Sequence, residues 1–289
     1  MSELATGMRA LGIADPEAAI AAHAVLGSDP GLLAHAGRLP ATLGEVPDWV
    51  KATVLNPGNP LFGIAERAVA EALGEEPDER VDRLLDRLTI RPRTARELSS
   101  VTGFEDLGPT LEHLAEAGLV RAHPNPLEPD DPFWMMTDRP ARFYYAVMAE
   151  HLPRWRRGYI TDRLWRMTHA RFDRYVCRAE FADLAREWAL GAPGAVAAAR
   201  IVVPDPRHRQ MRTLEVAAWN ADGEPVALGT LRWGLLMHHR QLRRLRHVRR
   251  LLGDPPASLV CIAPRVDGGI AADEDPNLFR VGPAHLLKG

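Results

Sequence analysis

Two cysteines in 289 residues, Cys177 and Cys261, are too few for a disulfide framework or a cysteine-built metal centre. Lysine is almost missing too. Lys51 and Lys288 stand against 34 arginines, and with the abundant alanine this reads as genomic GC bias more than function. No apolar run reaches the roughly 18 residues a membrane span needs. Nor does a basic segment followed by an apolar core open the chain, as it would in a signal peptide. A cytoplasmic protein with free thiols and no membrane partner is therefore expected. Also absent are Gly-x-x-x-x-Gly-Lys-Ser/Thr, His-Glu-x-x-His, Cys-x-x-Cys, Gly-x-Ser-x-Gly and a dinucleotide fingerprint. Without a phosphate-cradling loop and its lysine, no ATP hydrolysis and no cofactor are expected. His238 and His239 are adjacent, diverge on a helix, and do not make a metal pair, so no metal is expected either.

What is present fits an ordinary globular chain: 46% hydrophobic, 26% charged, and long enough for two or three small domains. The net charge of −2 hides a split. Residues 1–138 carry 11 basic and 23 acidic side chains, residues 139–289 carry 25 and 15, so the halves stand at −12 and +10. The basic half suits an anionic partner, or docking on the acidic half; separately solvated surfaces are the plain alternative.

Residues 1–76 read as a helical region. Asp15-Pro16-Glu17 is a helix start that feeds "PEAAIAAHAVLG", and further helices fit "VPDWVKATVL" and "NPLFGIAERAVAEALG". Residues 77–138 read as a winged helix-turn-helix. Val81, Leu84, Leu85 and Leu88 mark its first helix, Thr94 to Gly103 its second, and Leu111, Leu114 and Leu119 its third. Two strands around a Pro-rich wing follow. A DNA reader needs cationic or amide side chains on the third helix. This one offers Glu105, Asp106, Glu112, His113 and Glu116, so packing or protein docking is the better reading.

Residues 139–289 begin with a helical lead-in rich in arginine and aromatics, then give strand-like "RIVV", "TLEVAAW" and "PVALGTLRW". Asp222-Gly223 marks a hairpin between the last two. A long helix, "LLMHHRQLRRLRHVRRLLG", follows, with Leu235, Leu242, Leu245, Val248 and Leu252 as its apolar face. "SLVCIAP" and "LFRVGP" end the pattern. The expected class is α+β and multi-domain, ending in an α/β domain with a small mixed sheet.

In this order, "AAIAAHAVLGSDPGLLA", "NPLFGIAERAVAEAL", "TARELSSVTGFEDLGPTLEHLAEAGLVRAHPNP" and "FWMMTDRPARFYYAVM" resemble the post-core helices and winged helix of archaeal-type AAA-like ATPases. "EFADLAREWAL" and "TLEVAAWNADGEPVALGTLRW" resemble the C-terminal domain of unknown function of that group, which has a restriction-endonuclease-like core. The likeness covers most of residues 18–265, and the chain is expected to begin after the ATPase core. The resemblance aligns Glu215, Thr230 and Arg232 with the nuclease Asp, Glu and Lys, and puts Ala182 where a helix acid often follows Phe181. Divalent-ion chemistry needs hard oxygen ligands and profits from an ionisable amine. Thr230 is a neutral ligand and Arg232 cannot accept a proton, so these are degenerate positions. Glu215 is expected to pair with Arg232 across the hairpin. Glu180 and Asp183 are the acids that could stand in for lost ligands.

"HHRQLRRLRHVRR", residues 238–250, holds six arginines and three histidines without one acid. Arg240, Arg243, Arg244, His247 and Arg250 fall on its outward sides, an electrostatic footprint suited to phosphates. The resulting reading is a non-catalytic nucleic-acid- or protein-binding module, with DNA or a protein such as an ATPase as partner. A divergent Mg²⁺ nuclease and a purely protein-interaction module are the alternatives.

Overall fold

Asp15, Asn59, Asp78 and Thr94 each precede a helix in the computed structural model, which describes residues 2–288. Each side chain accepts a hydrogen bond from a backbone N–H of the first turn, satisfying a donor the helix cannot. The helices so started are α1 (Pro16–Leu26), α3 (Pro60–Leu73), α4 (Glu79–Ile90) and α5 (Ala95–Thr102). Between the first two lies α2 (Val46–Ala52). Helix α1 is apolar all round, and every residue from Ala18 to Leu26 is buried, His23 included.

Helices α4 and α5 pack with α6 (Gly108–Glu116) around Leu84, Leu85, Leu98, Leu111 and Leu114. The chain then turns back through an antiparallel pair, β1 (Val120–His123) and β2 (Phe133–Met136), in register from Val120↔Met136 to His123↔Phe133. A bridge between Arg93 and Trp134 ties this pair to the loop before α5. Because α6 starts at Gly108, Glu105 and Asp106 lie in the turn before it, while Glu112, His113 and Glu116 are exposed on it. The stretch 139–190 is largely helical, ending in α7 (Asp162–Arg171) and α8 (Arg178–Ala189). Two π-helical segments interrupt it, Tyr144–Met148 and Phe172–Cys177.

The second architecture is a five-stranded mixed sheet: β3 (Ala197–Asp205), β4 (Gln210–Trp219), β5 (Pro225–Leu231), β6 (Ser258–Ile262) and β7 (Leu278–Val281), in that spatial order. The first three form an antiparallel meander, and β6 and β7 add in parallel. A parallel step needs a crossover, and α9 (His239–Leu251) supplies it between β5 and β6. Its Leu242, Leu245 and Val248 pack on Ile201, Leu228 and Leu259 of the sheet. Gly229 lies where β4 comes close: a Cβ there would stand 3.1 Å from the Val216 Cβ.

Three details differ from expectation. The long C-terminal helix begins at His239, so Leu235 is outside its apolar face and 55% exposed. Leu236–Met237 instead pair with Arg265–Val266 in a separate two-residue ladder. The β4–β5 turn is wider than a two-residue hairpin: Asn220 N donates to Glu224 O, and the Asn220 side chain accepts from Asp222 N and Glu224 N. A side chain that bonds its own loop stabilises the wider turn, with Gly223 taking φ 78°.

By internal contacts the chain separates into two compact units. One comprises Gly7–Pro124 and Asp130–Glu180. The other comprises Asn125–Pro129, the chain from Phe181 on, and the short stretch before Gly7. The break thus falls inside α8 rather than at 76 or 138, because the helical region and the three-helix module share one unit. Among the described residues, no helix is long and apolar enough to cross a membrane.

Candidate functional site

Of the positions aligned with nuclease ligands, Glu215 sits on β4, Thr230 on β5, and Arg232 just past the end of β5. Between Ala199↔Ala217 and Ile201↔Leu214, β4 holds one more residue than β3, which is a β-bulge around Glu215 and Val216. The bulge turns Glu215 toward Arg200, whose Nε lies 3.8 Å from its carboxylate. The expected cross-hairpin partner, Arg232, is not in that ion pair, and its buried Nε has no hydrogen-bond partner. Thr230 alternates with Leu228 on β5 and so shares the face that α9 covers. Asp183 pairs with Arg186, and Arg186 also donates to the Glu215 carbonyl oxygen at 3.0 Å. Ala182 is buried, and its neighbour Phe181 packs its ring 5.4 Å from that of Trp233.

Glu180, the other stand-in acid, is fully engaged within the first unit. It is 1% exposed and accepts from His23 Nδ1 at 2.8 Å, Arg139 Nη2 at 2.8 Å and Arg142 Nη1 at 3.3 Å. Burial works against its charge, but the His23 hydrogen bond and the two guanidiniums outweigh that and hold the carboxyl at about 2. It acts as an ionic fastener between α1, α8 and the chain around Arg139.

The arginine helix sorts its cations cleanly. Arg246 is clamped by Asp273 at 2.7 and 2.8 Å with Asp275 at 3.3 Å, and Arg249 by Asp254 at 2.8 Å. Arg240, Arg243, Arg244 and Arg250 are exposed, and none of them has a hydrogen bond or ion pair among the described residues. Arg243 and Arg244 lie three and four residues after Arg240, and Arg250 lies seven, two turns, after Arg243, so all four fall on one side of α9. The β3–β4 turn brings two more, Arg207 and Arg209, both exposed, and their side chains have no partner among the described residues. The turn lies beside the helix, since the rings of His208 and His247 are 5.5 Å apart, edge to face.

His247 stands apart from its arginine neighbours. Its Nε2 is 2.9 Å from Asp205 Oδ2, so its imidazole is turned to the end of β3 rather than outward. Asp205 is 1% exposed and also meets His208 Nδ1 at 2.9 Å and Arg212 Nε at 2.9 Å. Burial opposes its charge, yet the hydrogen bonds from His247, Arg212 and His208 keep the carboxyl well below the usual carboxylate range. Asp205, His208 and Arg212 were not singled out from the sequence. The segment "DPRHRQMR" does show a turn signal followed by His and Arg. His247, however, lies 42 residues from Asp205 and meets it only through packing of α9 on the sheet. His238 and His239 serve elsewhere: both contact Asp267, through the His238 ring at 3.5 Å and the His239 backbone N–H at 2.8 Å.

No family model, curated protein or solved structure matches the chain.

Proposed function

We propose that the chain is a non-catalytic nucleic-acid-binding module, with α9 and the β3–β4 turn as its contact surface. The observation that carries this is the sorting of the arginines. Acids within the same unit neutralise Arg246 and Arg249, while Arg240, Arg243, Arg244 and Arg250 are left to solvent on one side of the helix, with Arg207 and Arg209 alongside. An ordinary solvated helix would mix acids among them; guanidiniums with no partner among the described residues, on one side of a helix, suit the phosphates of a nucleic-acid backbone. The antiparallel meander, crossover helix and parallel strand support a degenerate restriction-endonuclease-like core. The three-helix unit with its β1–β2 pair supports a winged helix used for packing or for docking a protein such as an ATPase. Exposed Glu112 and Glu116 on α6 speak against that element as the DNA reader. The pairing of Glu215 with Arg200 and of Asp183 with Arg186 speaks against a divalent-ion site at the hairpin.

The experiment is a polarisation titration against labelled single- and double-stranded DNA across salt, with Mg²⁺ and EDTA arms read on a gel. Salt-sensitive binding without cleavage is expected. Absence of binding at low salt would remove the nucleic-acid reading. Mg²⁺-dependent nicking abolished by Glu215→Ala would replace it with a nuclease.

A further inference from the structure

We propose that Asp205, His208 and His247 form a binding site for a single transition-metal ion of the zinc type. The donors come from three places: the end of β3, the turn after it, and α9. Their ligand atoms, one carboxylate oxygen, His208 Nδ1 and His247 Nε2, all lie within 4.8 Å of one another. Two imidazoles and a carboxylate are a three-ligand set that leaves a fourth position open, and the partial exposure of His208 and His247 puts that opening at the surface.

The cluster is already organised for this exchange. Each histidine now points one ring nitrogen at the Asp205 carboxylate, from 2.9 Å. An ion bonded at about 2.0–2.1 Å to each nitrogen takes the place of those two hydrogen bonds. Each imidazole then carries its ring proton on the other nitrogen, so no base is required for the exchange. Arg212 Nε donates to Oδ2, the oxygen both histidines meet, at 2.9 Å, and the His208 backbone N–H lies 3.2 Å from Oδ1; together they fix the orientation of the carboxylate.

The surroundings also select the ion. Arg212 and the arginines of α9 oppose any dication by Coulomb repulsion. Mg²⁺ and Ca²⁺ bind through many hard oxygens, and this cluster offers one carboxylate. Zn²⁺, Ni²⁺ and Co²⁺ bond imidazole nitrogen directly, and that bonding can offset the repulsion.

The test is calorimetric titration of the EDTA-treated, dialysed full chain with Zn²⁺, without nucleic acid, so that its outcome is separate from that of the DNA-binding experiment. A parallel Co²⁺ titration reads the visible absorption of a nitrogen-ligated, low-symmetry centre. One Zn²⁺ per chain is expected, with affinity at least tenfold lower in His208→Ala and in His247→Gln, and no uptake of Mg²⁺. His208 sits on an exposed turn, so its variant folds; His238→Ala is the control and leaves Zn²⁺ affinity unchanged. Absence of saturable 1:1 uptake overturns the proposal, as does uptake that His208→Ala does not weaken or that His238→Ala weakens equally.

Discussion

Reversing Arg243 and Arg244 to glutamate tests the arginine surface most directly. Six exposed arginines whose side chains have no partner among the described residues line it: Arg207, Arg209, Arg240, Arg243, Arg244 and Arg250. If each neutralises one phosphate of B-DNA, the slope of log Kobs against log salt is about −5. Affinity then falls about a thousandfold between about 50 and about 200 mM salt. Removing two contacts lowers the slope to about −3.5 and, at about 0.15 M salt, costs about 2 kcal/mol in released counterions, roughly thirtyfold. Two added carboxylates repel phosphates and push the loss further. The assay is fluorescence polarisation on a short duplex at four salt concentrations, with circular dichroism to show that the fold is kept. Arg249→Gln is the matched control, because Asp254 already neutralises Arg249 at 2.8 Å. An unchanged slope after the double reversal, or an equal change in the control, would refute the reasoning.

Further outcomes follow from other contacts in the structure. Glu180→Ala breaks a buried charge cluster shared by His23, Arg139 and Arg142 and is expected to cost about 3–5 kcal/mol in urea denaturation. The carboxyl of Glu180 is lowered in the folded chain to about 2 from an ordinary value of 4.5. Its stabilisation is therefore complete above that ordinary value and is lost as the pH falls toward the folded one, visible as a steep drop of Tm below pH of about 4.5 that Glu180→Gln flattens. Gly229→Ala puts a methyl 3.1 Å from the Val216 Cβ between two central strands and is expected to destabilise by about 1–3 kcal/mol on thermal melting. Restoring nuclease residue types with Thr230→Glu and Arg232→Lys creates no Mg²⁺-dependent plasmid nicking, because the bulge holds Glu215 against Arg200; nicking by that variant would show the three positions to converge. Both thiols react slowly with Ellman's reagent until the chain unfolds, since Cys177 and Cys261 are buried and burial pushes the Cys261 thiol up to about 11.

The sequence by itself determined the local elements. Cap residues such as Asp15, Asn59, Asp78 and Thr94 start helices through bonds to their own first turns, and such contacts are legible in one dimension. The apolar stripe Leu242, Leu245 and Val248 fixed which side of the arginine helix is buried, and hence which side faces water. Tertiary structure decided the rest, because it depends on which distant residues share a space. The extra residue in β4 brings Glu215 to Arg200, while Arg232 lies past the end of β5, and strand pairing alone shows where these residues fall. Asp273, Asp275 and Asp254 neutralise two of the six helix arginines and leave four, a division invisible in a run of thirteen residues that contains no acid. His247 follows the same logic. Its place among arginines suggests an outward cation, but packing of α9 on the sheet brings it to the buried Asp205 carboxylate, and that contact holds the histidine inward.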